Sequence, residues 1–286
     1  MMIAFVSSSA IASGKTVAAF LSSDIPRYRE AHRFFLKTMA EYGYPASSIS
    51  TYTSVPDNSS WAASARKIVS SSPDIVVAFG APAVETMLQE GDDIPLVASD
   101  TVFPDGAPAA NLCGISSRVP MITIIRTLQG MIKLRKVAVL FNSREAGSLR
   151  QNADIIKASR QLGITSVSFN AMNQSKLDAA VSEALQANAD VIVITESGLV
   201  SRHLDRIARR ARSAGRPVAS PVPDAAKMGA LISIEVSPEE QGKSAALMAV
   251  RLLDGVKPEN LGVRAPRKVD LIINLKVARE IGRAHV

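Results

Sequence analysis

Along nearly the whole chain, short apolar runs alternate with longer stretches in which apolar residues recur every three or four positions. The runs read as strands and the longer stretches as amphipathic helices. Lys15–Leu21, Ile49–Thr53, Asp74–Phe79, Pro95–Ser99 and a short Leu112–Ser116 are the strands of a first unit. Between them, Pro26–Tyr42 places Ala31, Phe34, Phe35 and Met39 on one helical face, and helices follow at Ser59–Val69 and Pro82–Leu88. Proline suits the first turn of that last helix, where its missing N–H costs nothing. The stretch from Asp100 to Asn111, rich in Pro, Gly and Asp, reads as loop.

A helix at Pro120–Met131 leads into a second unit of the same order. Its strands are Lys136–Phe141, Ser166–Phe169, Asp190–Thr195, Pro217–Ser220 and Ala230–Val236. Its helices are Arg144–Leu162, Leu177–Ala187 and Val200–Ala214, and a further helix runs over Pro238–Leu253. Gly163 and Gly215 stand at the C-terminal ends of two of them. In both units the third strand is an aspartate followed by a wholly apolar run: Asp74-Ile75-Val76-Val77 and Asp190-Val191-Ile192-Val193. Strands apolar on every residue belong to parallel sheets covered on both faces. The fold class is therefore α/β, two doubly wound parallel sheets with right-handed crossovers. Two such lobes are expected to face each other across a cleft, with ligands at the carboxyl ends of the strands.

Composition agrees with a cored globular chain: 47% hydrophobic, 21% charged and only 5% aromatic, so the core is Ala, Val, Ile and Leu. The net charge of +7 raises the question of nucleic acid. Its densest stretch, Arg202 to Arg216, interleaves arginines with Leu204, Ile207, Ala208 and Ala211 at helical spacing and carries no aromatic residue to stack a base. It reads as a solvated helix face, and no nucleic-acid partner is expected. One cysteine, Cys113, and three histidines, His32, His203 and His285, exclude a disulfide framework and offer no metal cluster. No cofactor or metal is expected. The apolar Met1 to Val6, with Ala10-Ile11-Ala12 as a small-x-small cleavage site, marks residues 1–14 as the remnant of a secretory signal; a frayed terminus is the alternative.

The strand ends carry the candidate chemistry. Ser23, Asp24, Ala83 and Thr101 stand there in the first unit, and Asn142, Ser143, Glu196, Ser197 and Asp224 in the second. Such residues bind small polar ligands, and they are equally the ordinary caps of helices. Asp24, Glu145, Glu196 and Asp224 could pair for acid–base work or receive an ammonium group, and residue type does not decide between these. Two catalytic motifs fail. Ser13-Gly14-Lys15-Thr16 lacks the earlier glycine of a phosphate loop, since Ser9 stands there, and it precedes a strand instead of following one. Ser64-Ala65-Arg66-Lys67 has Ser-x-x-Lys spacing inside a helix without partner motifs. The chain is read as a binding protein and not an enzyme.

The closing segment, Val269-Asp270-Leu271-Ile272-Ile273-Asn274-Leu275-Lys276-Val277-Ala278 with the later Gly282, resembles the ending of the ABC-transporter substrate-binding proteins grouped with the tryptophan and tyrosine binders. Weaker matches are Ser23-Asp24-Ile25-Pro26, Ala81-Pro82-Ala83, Val139-Leu140-Phe141-Asn142-Ser143 with Glu145-Ala146, and Gly229-Ala230-Leu231. The resemblance implies a type I periplasmic-binding-protein fold, with residues 15–118 plus 237–258 in one lobe and 119–236 plus 259–286 in the other. It implies a periplasmic, monomeric receptor that captures a small molecule, an amino acid or related compound, for an ABC permease in the inner membrane. A ligand sensor feeding a membrane signalling partner is the alternative. Asn142, Ser143 and Ala83 match positions that would surround a ligand carboxylate. Where aromatic amino-acid binders usually have Thr-Asp-Asn, this chain has Thr195-Glu196-Ser197, and Ser233-Ile234-Glu235-Val236 lacks the tyrosine often found there. These departures leave the ligand's side chain open.

Overall fold

The computed structural model describes residues 14–280 except Asp92 and 104–108. The expected signal remnant and the end of the closing helix lie outside the described residues. The first run is β1 (Val17–Leu21), α1 (Pro26–Glu41), a 3-10 turn (Ala46–Ser48), β2 (Ile49–Thr53), α2 (Asn58–Ser70), β3 (Ile75–Phe79), α3 (Ala81–Glu90), β4 (Leu96–Thr101) and β5 (Leu112–Ser116). The second is α4 (Met121–Met131), β6 (Lys136–Phe141), α5 (Ala146–Gln161), β7 (Thr165–Asn170), α6 (Gln174–Gln186), β8 (Val191–Ile194), α7 (Gly198–Ser201), α8 (Leu204–Ser213), β9 (Val218–Ser220) and β10 (Ile232–Glu235). The chain ends through α9 (Pro238–Leu253), α10 (Pro258–Leu261), β11 (Val263–Arg264), β12 (Asp270–Ile273) and α11 (Leu275–Glu280).

Two compact units result, 1–118 with 237–268 and 119–236 with 269–286. Each holds one six-stranded sheet, ordered β11-β5-β4-β3-β1-β2 in unit 1 and β12-β10-β9-β8-β6-β7 in unit 2. In each unit the first strand lies between the second and the third, so the direction of winding reverses there and helices cover both faces. β1 and β3 are buried at every residue because helix-borne side chains close over both sides. Helix starts follow local chemistry: Asp57 accepts from the Ser60 amide, Asn173 from Lys176, Ser197 from Val200 and Ser237 from Glu240.

The aspartate that opens the third strand of each unit has a definite task. Asp74 accepts from the Thr16 amide at 2.5 Å, just ahead of β1. Asp190 accepts from the amides of Arg135 and Lys136 at 2.7 and 2.8 Å, at the start of β6. Both pin the central strand pair at its amino end. The Thr16 amide holds the Asp74 carboxyl below its ordinary range. Partial burial pushes Asp190 up, and its two amide donors outweigh that and hold it low.

In unit 1, α9 packs along α1 through Gly242. A β-carbon there would sit inside contact distance of the Ala31 carbonyl and press on Phe34 and the Phe35 amide. Rigid backbone cannot give way as a side-chain tip can, so Gly242→Ala is expected to destabilise by about 1–3 kcal/mol or more. A thermal melt checks this; an unchanged midpoint would mean that α9 can shift off α1 without loss.

Four features differ from the sequence expectation. Residues 259–268 belong with unit 1, because β11 pairs parallel with β5 and the Gly114 amide bonds to the Gly262 carbonyl. β12 runs antiparallel to β10, an edge strand on an otherwise parallel sheet. The expected helix over Val200–Ala214 is two: Ser197 caps a four-residue α7, and after Arg202 and His203 the chain restarts as α8. α8 buries Leu204, Ile207, Ala208 and Ala211, while Arg206 and Arg210 pair with Asp178 and Arg212 with Glu280. Lastly, β4 continues through Asp100 and Thr101, which the sequence assigned to loop.

Candidate ligand site

In unit 2 the winding reverses between β6 and β8, and open α/β sheets bind ligands at the carboxyl end of that switch point. The residues leaving these two strands are hydrogen-bonded in a network around Glu145 and two pairs beside it, Gln151–Glu196 and Ser143–Asn170. Glu145 is its centre: Oε1 accepts from Asn142 Nδ2 and Ser197 Oγ, both at 2.8 Å, and Oε2 accepts from the Gly198 amide at 2.7 Å. Asn142, buried, closes a turn by accepting from the Arg144 amide at 3.0 Å. Its own amide donates to Ser148 Oγ at 2.9 Å, and that hydroxyl lies 2.6 Å from Thr195 Oγ1, which donates to the Leu140 carbonyl. Glu196 is gripped at both ends by Gln151, whose Nε2 donates to the carboxylate and whose Oε1 accepts from the Glu196 amide, each at 2.7 Å. Ser143 is exposed and exchanges two bonds with the Asn170 amide group, at 3.0 and 2.8 Å.

Four of the five unit 2 candidates therefore meet around the ends of two adjacent strands. Asp224 stands apart. Its backbone is left-handed (φ 62°), its amide donates to Glu235 Oε2 at 3.2 Å, and its carboxylate pairs with Lys227. Glu235, the last residue of β10, is itself buried and accepts from Ser233 Oγ. Ser148 and Gln151 carried no sequence expectation, and Glu145 was expected only as one of four carboxylates for acid–base work or an ammonium group. The available signal for Glu145 was its place three residues after Asn142, inside a segment that already carried the family resemblance.

Unit 1 treats its candidates differently. Ala83 is fully buried in the core of α2, α3 and the sheet, and its amide bonds to Gly80, so it offers a ligand neither side chain nor free donor. The position contributes packing. Thr101 is buried within β4, Ser23 is half-buried, and Asp24 is exposed and pairs with Arg29 at 3.0 Å. The polar chemistry that the sequence did not reveal sits beside them. Arg27 Nε lies 2.8 and 2.7 Å from the two oxygens of Asp100, with both side chains at least nine-tenths buried. Asp100 is left-handed (φ 54°), and its amide donates to Gln241 Oε1 at 2.8 Å. Gln241, wholly buried on α9, also donates to the Ser116 carbonyl and so ties β4 to β5. Burial pushes the Asp100 carboxyl up, and Arg27 pulls it back. Tyr28, with its hydroxyl bonded to Ser22, is raised by burial and by Asp100. Gly80 (φ 91°) leaves room for both; a β-carbon there would strike the Ser22 and Tyr28 oxygens.

Among the described residues no cluster of three or more His, Cys, Asp or Glu is placed to hold a metal ion. No helix among them is long and apolar enough to cross a membrane. The arrangement gathers polar groups around carboxylates at the strand ends of both units.

Residues 16–283 match the family model described as ABC transporter substrate binding protein. The chain belongs to that family. Among relatives, a "Tyrosine-binding protein" of Clostridioides difficile (strain R20291) is 21% identical over 263 residues, 87% of this chain and 75% of the relative. Among solved structures, a Streptococcus pneumonia ABC domain in complex with L-Trp superposes with a TM-score of 0.80 at 20% identity, over 94% of this chain and 95% of that one. A ligand-free substrate binding protein with adhesive properties from Clostridium difficile gives 0.81 at 20% identity, with the same coverage. A periplasmic ribose ABC transporter from Conexibacter woesei shares the fold more distantly, with a TM-score of 0.68. The α/β architecture is thus the type I periplasmic-binding-protein fold. This substrate-binding protein works in a family of extracytoplasmic receptors that bring small molecules to an ABC permease in the membrane.

Proposed function

We propose that this substrate-binding protein captures an amino acid in its zwitterionic form and that the unit 2 network receives the ammonium group. The observation carrying this is the state of Glu145. Its two oxygens take three neutral donors, and no cationic side chain pairs with it among the described residues. A half-buried carboxylate held only by neutral donors has no counter-ion beside it, and an ammonium would supply one. Glu196 lies one strand over, and Gln151 fixes its carboxylate in place. A relative that binds tyrosine and a structural neighbour holding L-Trp support an amino-acid ligand. The chain acts without a cofactor, as a monomer and as a receptor, with no reaction of its own. Its place is the periplasm.

The test is a thermal-shift panel of L-amino acids, followed by calorimetry on each stabilising compound and mass spectrometry of whatever co-purifies. Stabilisation by amino acids, and none by the corresponding acids lacking the amine, is expected. Glu196→Gln should weaken the best ligand about tenfold, or about 1.4 kcal/mol. The same titration with Ser23→Ala and Thr101→Val reads whether the unit 1 strand ends take part. If des-amino analogues bind as well as amino acids, the ammonium assignment fails.

A further inference from the structure

Unit 1 carries a second concavity at the β5–β11 edge of its sheet: a cavity of about 370 Å³ along α9, lined by Ile115 of β5 and Met248. Its size lies within the range of small-molecule sites, roughly 300–1,000 Å³. Three guanidinium groups line it, Arg251, Arg264 and Arg267, against one carboxylate, Asp254. None of the three makes an ion pair among the described residues, although Arg29, Arg33 and Arg66 elsewhere in unit 1 do. Arg264 is steered by its own backbone surroundings, since its Nε donates to the Leu261 carbonyl at 3.3 Å. Its charge reaches inward, where it opposes the burial that raises the Cys113 thiol to about 12. Arg267 is anchored through its amide to Glu240 Oε1 at 3.3 Å. The same walls expose apolar surface: Tyr42 is 52% accessible and Leu247 36%.

Unneutralised cations beside exposed apolar and aromatic side chains describe a complementary ligand. We infer that this cavity is a binding site for a small organic anion, a phosphate or carboxylate group carried on an apolar body, separate from the amino-acid site. Guanidinium forks match the planar carboxylate and the phosphate oxygens, and the Tyr42 ring with Met248 covers the apolar part. The single Asp254 leaves the cavity net positive and disfavours zwitterions and cations.

Phenyl phosphate is the probe, titrated calorimetrically into the full chain. Saturable one-to-one binding is expected, weakening with salt as charge attraction does. The exposed pair Arg251→Gln/Arg267→Gln should lower the affinity about tenfold or more, since charge-assisted bonds are lost. Tyr42→Ala should weaken it several-fold, and inorganic phosphate should bind about tenfold less tightly for want of an apolar body. Saturating L-tyrosine or L-tryptophan should leave the titration unchanged. Melting curves confirm that each variant folds. No saturable binding, equal affinity in the arginine variants, equal affinity for inorganic phosphate, or displacement by either amino acid would each overturn the inference. Capture by phosphatidylglycerol vesicles through Arg251 and Arg267, without binding of phenyl phosphate, would overturn it in favour of a membrane contact.

Discussion

Arg27→Met is expected to lower the free energy of unfolding by about 3–5 kcal/mol, the cost of leaving one member of a buried ion pair alone. Asp100 cannot swing out to water to escape this. Its backbone is held left-handed at φ 54°, and its amide is bonded to the buried Gln241, which also grips the Ser116 carbonyl. The carboxyl is already pushed up by burial, so once Arg27 is gone it takes a proton, which limits the loss. Asp100→Asn is the matched change, because asparagine tolerates the left-handed region. Asp100→Asn alone strands the guanidinium, whereas Arg27→Met with Asp100→Asn removes both charges and should recover much of the stability. Denaturant melts of the two single variants and the double variant give the coupling directly. Strict additivity, or a loss under about 1 kcal/mol in Arg27→Met, would show that solvent reaches the pair and that the burial argument is wrong.

That pair also shows where sequence reasoning stops. Its members lie 73 positions apart, and nothing in the neighbourhood of Arg27 distinguishes it from the exposed Arg29 and Arg33 two and six residues on. The sheets themselves were legible for a simple reason. Strands buried on both faces must be apolar at every residue, as Ile75–Phe79 and Val191–Ile194 are, and such runs have few other uses. Strand direction at the edge was not legible, since Asp270–Ile273 would read the same either way round. The break between α7 and α8 was hidden because the arginine-bearing face continues in phase across it, while the deciding signal, Ser197 as a cap, was the ordinary role of serine.

At the site, residue type located the strand ends and then lost resolution. Asn142, Ser143, Glu196 and Ser197 were legible as polar residues closing buried strands, and the structure links Asn142 and Ser197 through Glu145. Ala83 failed because a small residue after a strand serves close helix packing as readily as ligand access, and here its side chain is in the core. Glu145 was legible only as one of four carboxylates, because residue type cannot say which of them gathers donors, and Gln151 carried no signal. The family resemblance also covered Glu145, and neither signal ranked it above Glu196.

Glu145 accordingly carries the largest expected effect on binding. Glu145→Ala removes the acceptor of Asn142 Nδ2, Ser197 Oγ and the Gly198 amide at once. The site is half-exposed, so water replaces part of what is lost, and a stability cost of about 1–3 kcal/mol is expected. Affinity for an amino acid should fall further, because the variant loses a charge-assisted bond of about 1.5–3 kcal/mol and also frees the turn after β8 that holds Glu196. A loss of a hundredfold or more in calorimetry follows if both act. Glu145→Gln separates them. Its amide keeps one acceptor oxygen and the side-chain length, so most of the frame survives, yet the negative charge is gone and the new N–H₂ faces donors. Melting should then drop only slightly while affinity still falls about tenfold or more, on the scale of one charge-assisted bond. If Glu145→Gln binds amino acids as tightly as the unaltered chain while Glu145→Ala does not, Glu145 is a brace for the strand ends and the ammonium must be met elsewhere.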